Sequence, residues 1–338
     1  MNSNIGILVW ISSLTVMVLL LIIIGGLTRL TDSGLSMVDW RPLMGAIPPI
    51  SIQEWAQTFN NYKLTPEFQI VNSNMALEEF KVIFLWEWFH RFFARFIGLV
   101  FILPLIYFLI KKSLSKNLLT NMSIIFIFGF FQALVGWWMV QSGLKDNPYI
   151  SAYLLAFHLT NALIIFSFLF WITLSLFYGK EKIYNRPKKI KILFHLSLFL
   201  IFITIISGSF MAGTDAGKSF NTFPLMNQKF FPEGYHLIEY GWKNTFENTV
   251  AINFNHRWLA IFTFLFISSI VIYLLIFKKE KYNYFSLFLV LITLSLQISL
   301  GILTLVYEVP LSYASLHQTN AVLLLASMLF AYYKLIYK

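Results

Sequence analysis

Residues 83–110 read IFLWEWFHRFFARFIGLVFILPLIYFLI, and residues 252–277 read INFNHRWLAIFTFLFISSIVIYLLIF. Each stretch is long enough to cross the roughly 30 Å hydrocarbon core of a bilayer as one helix, which takes about 20 apolar residues. Each also carries a His-Arg pair near its beginning, preceded three residues before the histidine by Glu87 in one stretch and Asn253 in the other. Two apolar stretches that share a polar motif predict an internal repeat.

Six further stretches have the same apolar character, so the sequence predicts an all-α integral membrane protein with eight transmembrane helices. The chain is 58% hydrophobic and 12% charged, about half the roughly 25% of charged residues found in soluble domains. The predicted spans are 5–28, 83–110, 120–141, 151–178, 191–213, 252–277, 283–306 and 311–334.

The net charge of +10 reflects membrane topology rather than a nucleic-acid partner. Of the 25 Lys and Arg residues, 14 lie in four short patches that follow the second, fourth, sixth and eighth predicted helices. By the positive-inside rule, these loops and both termini are predicted to be cytoplasmic. Two long loops, 30–82 and 214–250, are then predicted on the outer side. The patches are 111–116, 180–191, 278–281 and the C-terminal Lys334 and Lys338.

The halves of the chain share five blocks in the same order. Four helices per half is an even number, so the two halves have the same orientation in the membrane. We therefore predict two pseudo-symmetric four-helix bundles, one in residues 1–180 and one in 181–338. The matching blocks are Thr31-Asp32-x-Gly34 and Thr214-Asp215-x-Gly217, Pro42-Leu43-Met44 and Pro224-Leu225-Met226, His90-Arg91 and His256-Arg257, Gln132-x3-Gly136 and Gln297-x3-Gly301, and His158-Leu-Thr-Asn161 and His317-Gln-Thr-Asn320.

Four of the six histidines belong to these blocks, and each lies near the outer end of an even-numbered predicted helix. Two histidines at equal depth in one bundle can ligate a haem iron from both sides, or supply one ligand beside a substrate porphyrin. Zinc and copper sites normally need three or more protein ligands. The chain has no cysteine, which excludes disulfides, iron–sulfur clusters and thiolate or covalent haem attachment. The predicted pairs are His90 with His158 and His256 with His317.

The residues around these histidines suggest how each half would treat a haem. Arg91 and Arg257 directly follow a histidine and are candidates for binding haem propionates, because arginine pairs with carboxylates in a bidentate fashion. Glu87 lies on the helix face of His90, whereas Asn253 takes the same position beside His256. A carboxylate can move protons or stabilise positive charge, which an amide cannot. The first half is therefore predicted to be reactive, and the second to hold a structural or electron-transfer haem.

These motifs resemble the haem A synthase family over nearly the whole chain. The resemblance rests on Gly25-Gly-Leu-Thr-Arg-Leu-Thr-Asp-Ser-Gly-Leu-Ser-Met37, on Glu79-Phe-Lys-x-Ile-Phe-x-x-Glu87-x-x-His90-Arg91, on His158-Leu, on Asn253-Phe-x-His256-Arg257 and on His317-Gln318. Some members of the family carry a cysteine pair in an outer loop. This cysteine-free sequence is similar to the proteobacterial and mitochondrial branch.

The resemblance implies an oxidoreductase that hydroxylates a haem O methyl group twice, so that loss of water leaves the formyl group of haem A. It implies that His90 and His158 hold the substrate haem, with Glu87 needed for the chemistry. His256 and His317 would ligate a resident haem b. Expected partners are a farnesyltransferase that supplies haem O, the cytochrome oxidase assembly machinery and the lipid bilayer, with self-association left open. No transit peptide is visible, so a bacterial inner membrane is expected, with the haem sites toward its outer side.

Two other functions fit the pattern without the resemblance. A di-haem b-type cytochrome would only transfer electrons and would have no use for the difference between Glu87 and Asn253. A transporter built from parallel repeats would bind its substrate without haem.

Overall fold

The computed structural model describes residues 3–38, 44–145, 148–179, 187–277 and 283–337. Within these ranges the chain is helical and has no β-strand. The Lys-rich segments 180–186 and 278–281 that we predicted as cytoplasmic, and Pro42 and Leu43 of the repeat, lie outside the described residues.

Eight long helices among the described residues are apolar enough to span a membrane, with mean hydropathies of 1.5 to 2.9. This confirms the predicted all-α membrane fold. At about 1.5 Å per residue, a 28-residue helix is about 42 Å long, which exceeds the hydrocarbon core. The long helices are α1 (Ser3–Leu30), α4 (Leu77–Ile110), α5 (Lys116–Gly143), α6 (Ala152–Tyr178), α7 (Lys188–Gly213), α9 (Thr249–Phe277), α10 (Tyr284–Val306) and α11 (Leu311–Ile336); the short ones between them are α2 (Ile52–Tyr62), α3 (Pro66–Ile70) and α8 (Asn244–Glu247).

The chain divides into two compact units, Met1–Ile165 and Phe166–Lys338. In the second unit α7 packs on α9, α9 on α10, α10 on α11, and α11 on α7, so the four helices form a closed ring. Helix α11 is the most buried of the long helices, with 67% of the residues in its membrane-spanning stretch buried. The division between residues 180 and 181 that we predicted from the repeat stays a prediction.

In the first unit, α1 packs along α4. Helices α5 and α6 are joined by hydrogen bonds, since Gln132 Nε2 donates to the His158 carbonyl and Asn161 Nδ2 to the Phe128 carbonyl. These pairings match α7 with α9 and α10 with α11 in the second unit. They are consistent with the pseudo-symmetry that the repeat predicts.

The first long loop, residues 31–76, carries its own small core against the beginning of α4. Tyr62 stacks on Phe80 with ring centroids 5.0 Å apart, and Phe59 contacts the same ring at 5.0 Å. Ser51 starts α2 as a capping box, accepting from the Glu54 amide while the Glu54 carboxylate accepts from the Ser51 amide. These contacts hold α2 against the N-terminal end of α4.

A buried carboxyl lies inside this loop. Glu67, at the start of α3, is 6% exposed. Its Oε2 accepts a hydrogen bond of 2.9 Å from the Tyr62 hydroxyl, which accepts one of 2.8 Å from Asn72 Nδ2. The pKa of Glu67 is raised to about 7, chiefly by burial; the hydrogen bond from Tyr62 lowers it, the negative charges of Glu87 and Asp32 raise it, and Arg29 lowers it. Removal from water disfavours the ionised carboxylate, which is why the pKa rises.

The first long loop is therefore expected to loosen as the pH rises. Because the pKa of Glu67 is higher in the folded state than its ordinary 4.5, its contribution to stability is complete below about 4.5 and is lost as the pH rises through about 7. Hydrogen–deuterium exchange of residues 52–72, corrected for the intrinsic pH dependence, should show falling protection between pH 5 and 8. Glu67→Gln should remove this dependence, whereas exposed Glu78→Gln should keep it. Equal pH profiles in wild type and Glu67→Gln would contradict the assignment.

Candidate haem sites

Each of the four repeated histidines lies against a glycine on the neighbouring helix. A side chain at that glycine would collide with the imidazole or press on it, since distances near 3 Å are shorter than carbon atoms tolerate. The glycines therefore make the space that the rings occupy. An added Cβ would lie 3.2 Å from Nε2 of His90 at Gly25, 3.0 Å from Cε1 of His158 at Gly136, 3.1 Å from Cε1 of His256 at Gly208, and 2.8 Å from Cε1 of His317 at Gly301.

Within each unit the two histidines form a pair. A charge on His158 would act on His90, and a charge on His317 would act on His256, so the two histidines of each unit lie near each other. All four side chains are half-buried. In the part of the chain that the structure describes, no three His, Asp or Glu side chains gather as ligands for a bare metal ion. Paired imidazoles with no third ligand suit a metal that arrives with its own planar ligand, as haem iron does.

Glu87 joins the first pair to the first long loop. Its side chain is 2% exposed. Its Oε2 accepts hydrogen bonds of 2.6 Å from the Ser36 hydroxyl and 2.7 Å from the Met37 amide. Arg91, one turn later on α4, forms an ion pair with Oε1 and donates to the Met37 carbonyl at 3.3 Å. A buried carboxylate is stable only with such compensating donors.

Asn253 and Arg257 hydrogen-bond to the second long loop, residues 214–248, as Glu87 and Arg91 do to the first. Asn253 Nδ2 donates to the Ala216 carbonyl at 2.7 Å, and its Oδ1 accepts from Arg257 Nε at 2.6 Å. Arg257 also donates to the carbonyls of Phe220 and Thr222. In the aligned repeat Phe220 takes the position of Met37, so each arginine binds the same loop carbonyl. In the first half the Glu87 carboxylate accepts a hydrogen bond from the loop, whereas in the second half the Asn253 amide donates one to the loop.

An amide pair supports the second histidine of each site. Asn161 Nδ2 donates to Gln132 Oε1 at 2.7 Å, and Asn320 Nδ2 donates to Gln297 Oε1 at 2.8 Å. The free amide group of each glutamine differs in its partner. Gln132 Nε2 binds the backbone carbonyl of His158, whereas Gln297 Nε2 lies 3.2 Å from Nδ1 of the His317 ring.

The first histidine of each site also differs between the halves. Ser207 Oγ lies 2.7 Å from Nδ1 of His256. At the matching position before Gly25 stands Ile24, which has no hydroxyl. Among the described residues, Nδ1 of His158 is buried without a hydrogen-bond partner. Polar side chains thus contact the ring nitrogens of the second pair.

The structure brings Glu87, His90 and Arg91 together on α4, with His158 as the partner of His90. It places His256 and Arg257 on α9 with His317 as the partner. Both arginines contact loop carbonyls, so binding of propionates by Arg91 and Arg257 stays a prediction. Ser36 and Ser207 were not predicted as site residues, because a single sequence carries no signal for them. The glycines belong to the repeat, but their position against the histidines follows only from the fold.

The comparisons with known proteins cover almost the whole chain. Residues 8–329 match the model of the COX15-CtaA family, described as cytochrome oxidase assembly protein. The chain is similar to proteins named Heme A synthase from Nitrosospira multiformis (40% identity over 97% of this chain and 92% of the relative) and from Flavobacterium psychrophilum (40%, 97% and 97%). One from Wolbachia pipientis is 38% identical over 95% of both chains. The chain therefore belongs to the COX15-CtaA family of cytochrome oxidase assembly proteins.

Proposed function

We propose that this protein is a haem A synthase, an oxidoreductase that converts a methyl group of haem O to the formyl group of haem A. The observation that carries the proposal is the broken match between the two histidine pairs. A buried carboxylate, Glu87, lies one turn before His90, and the amide of Asn253 takes its place before His256. An electron-transfer cytochrome gains nothing from that difference, whereas an enzyme with one reactive site needs it.

The residues present fit haem in both halves. Each unit brings two half-buried imidazoles near each other, with no third His, Asp or Glu ligand beside them among the described residues. The glycine against each ring leaves the room that the imidazole needs beside the neighbouring helix. Nδ1 of His158 is a buried ring nitrogen with no hydrogen-bond partner among the described residues, so its lone pair is available to a metal.

The two pairs then divide the work. His90 and His158 hold the substrate haem O, and His256 and His317 hold a resident haem b. Haem b supplies reversible one-electron storage when it is bound. Arg91 and Arg257, each next to a histidine in sequence, would bind the haem propionates. This division corresponds to an N-terminal half in residues 1–180 and a C-terminal half in 181–338.

Glu87 is the group that handles charge beside the substrate. Oxidation of a methyl group to a formyl group removes electrons and protons from carbon, so a base or an anion is needed close to the reacting carbon. Glu87 is fixed by Ser36, Met37 and Arg91, so its carboxylate is held in place before the substrate binds. Two hydroxylations, each a two-electron oxidation that needs an oxidant from outside the protein, give a diol, and loss of water from this diol leaves the formyl group.

The proposed setting is the inner membrane of a bacterium, with both termini in the cytoplasm. The Lys-rich patches after every second helix support this orientation, as do the bacterial sources of the relatives. The haem sites then lie toward the outer leaflet. There the farnesyl tail of haem O can stay in lipid while the molecule passes from a farnesyltransferase to the enzyme and on to the oxidase.

Glu87→Gln should abolish turnover while leaving the resident haem in place. Loss of a general acid–base group typically lowers a rate by about 100-fold or more. Purified protein incubated with reduced haem O would be assayed by mass spectrometry for hydroxylated and formylated porphyrin, and by absorbance for haem b.

Glu78→Gln, an exposed position on the same helix, is the matched control and should behave as wild type. Wild-type protein that retains haem b and yields no oxidised porphyrin would contradict the synthase function and favour a cytochrome. Normal turnover by Glu87→Gln would remove the role given to this carboxylate.

Gly301→Ala should weaken the resident haem site. The new methyl group would lie 2.8 Å from Cε1 of His317, so the ring must move away from α10. We expect about tenfold faster loss of haem b, the lower end of what disturbing a metal ligand's surroundings costs. Gly129→Ala on α5, where an added Cβ meets nothing within 4 Å, should keep its haem. Equal haem content in the two variants would contradict the Gly–His packing.

A further inference from the structure

We propose that Ser207 is a positioning residue that fixes the tautomer of His256, so that the second site keeps its haem while the first releases it. The inference rests on the proposed function, since it assumes that His256 is a haem ligand. It gives a cause for the stronger retention of haem by the second site. The difference between Glu87 and Asn253 does not explain that retention.

The hydrogen bonds of Ser207 determine which ring nitrogen carries the proton. A serine hydroxyl has one proton to donate and lone pairs that accept. We assign that proton to the Thr204 carbonyl, which lies 2.8 Å from Ser207 Oγ and can only accept. The contact of 2.7 Å between Ser207 Oγ and Nδ1 of His256 must then be one in which the ring donates and the hydroxyl accepts. His256 therefore carries its proton on Nδ1, and Nε2 keeps a free lone pair for iron.

Helix α7, which carries Ser207, is hydrogen-bonded to α9 one turn before Ser207. Thr204 Oγ1 donates to the Leu200 carbonyl at 2.7 Å and lies 2.9 Å from Oγ1 of Thr263 on α9. Thr263 is buried and belongs to the helix that carries His256. Ser207 and the histidine are thus held at a constant separation. A ring oriented in this way loses little freedom when it binds iron.

The first site lacks this device. Gly25 matches Gly208 in the repeat, so Ile24 stands where Ser207 stands in the second half. An isoleucine side chain cannot accept a proton from an imidazole. The His90 ring is also turned differently, since Nε2 is its nearest atom to Gly25, whereas Cε1 of His256 is nearest to Gly208. A ligand whose neighbouring helix offers no such acceptor at this position suits a site that must exchange substrate for product.

The experiment compares haem retention in Ser207→Ala and Ser209→Ala. Ser209 is buried on the same helix and hydrogen-bonds only within it, to the Ile206 carbonyl, so it is the matched control. Purified holoprotein is mixed with excess apomyoglobin, and transfer of haem b is followed by absorbance. Ser207→Ala should lose haem b about 10- to 100-fold faster, and Ser209→Ala at the wild-type rate.

A redox titration gives a readout that a general loss of stability would not produce. An Nδ1–H donated to an acceptor increases electron donation from imidazole to iron, so Ser207→Ala should raise the midpoint potential of haem b. The reciprocal Ile24→Ser should slow the release of haem from the first site.

Retention and potential unchanged in Ser207→Ala would overturn the inference, as would equal losses in Ser209→Ala. Wild-type protein isolated without haem b would instead contradict the proposed function. The two failures are therefore distinguishable.

Discussion

The close packing of an imidazole against a glycine on the neighbouring helix is the constraint on which both sites depend. A histidine inside a membrane helix is costly unless it faces a cavity or a partner, and a flat macrocycle needs space next to its ligands. A glycine on the adjacent helix gives the imidazole a place against that helix, because it lets the ring approach the backbone closely. The contact recurs at His90, His158, His256 and His317, so the geometry of one half is repeated in the other.

On this shared frame the two halves differ in the groups that touch the histidines and the loops. The first half holds its loop with a carboxylate, Glu87, and the second with an amide, Asn253. A loop amide faces the carboxylate and a loop carbonyl faces the amide, so each exchange is compensated locally. Chemistry could therefore diverge between the halves without any change in how the helices pack. The Ser207 hydroxyl in the second half is a further divergence of the same kind.

The membrane fold and the histidine pairs were predictable from the sequence, because the apolar stretches are long and the motifs around the histidines are repeated. Eight apolar stretches of spanning length can hardly fold otherwise in a bilayer, and the blocks around the histidines align in order. The hydrogen bond from Ser36 to Glu87 joins residues 51 positions apart, and the pairing of Ser207 with His256 spans 49. Neither a serine in a loop, such as Ser36, nor a serine in an apolar helix, such as Ser207, gives a sign of such a partner in the sequence. The internal core around Tyr62, and Glu67 within it, likewise depend on how the loop folds back on α4.

The central claim is that one histidine pair holds a resident haem b and the other an exchangeable substrate. The most direct test is the haem content of two single variants, His158→Ala and His317→Ala, isolated from the same host and analysed by extraction and chromatography. The account predicts that His158→Ala keeps haem b and forms no oxidised porphyrin, while His317→Ala loses haem b. Equal loss of haem b in both variants, or its loss in His158→Ala alone, would contradict it.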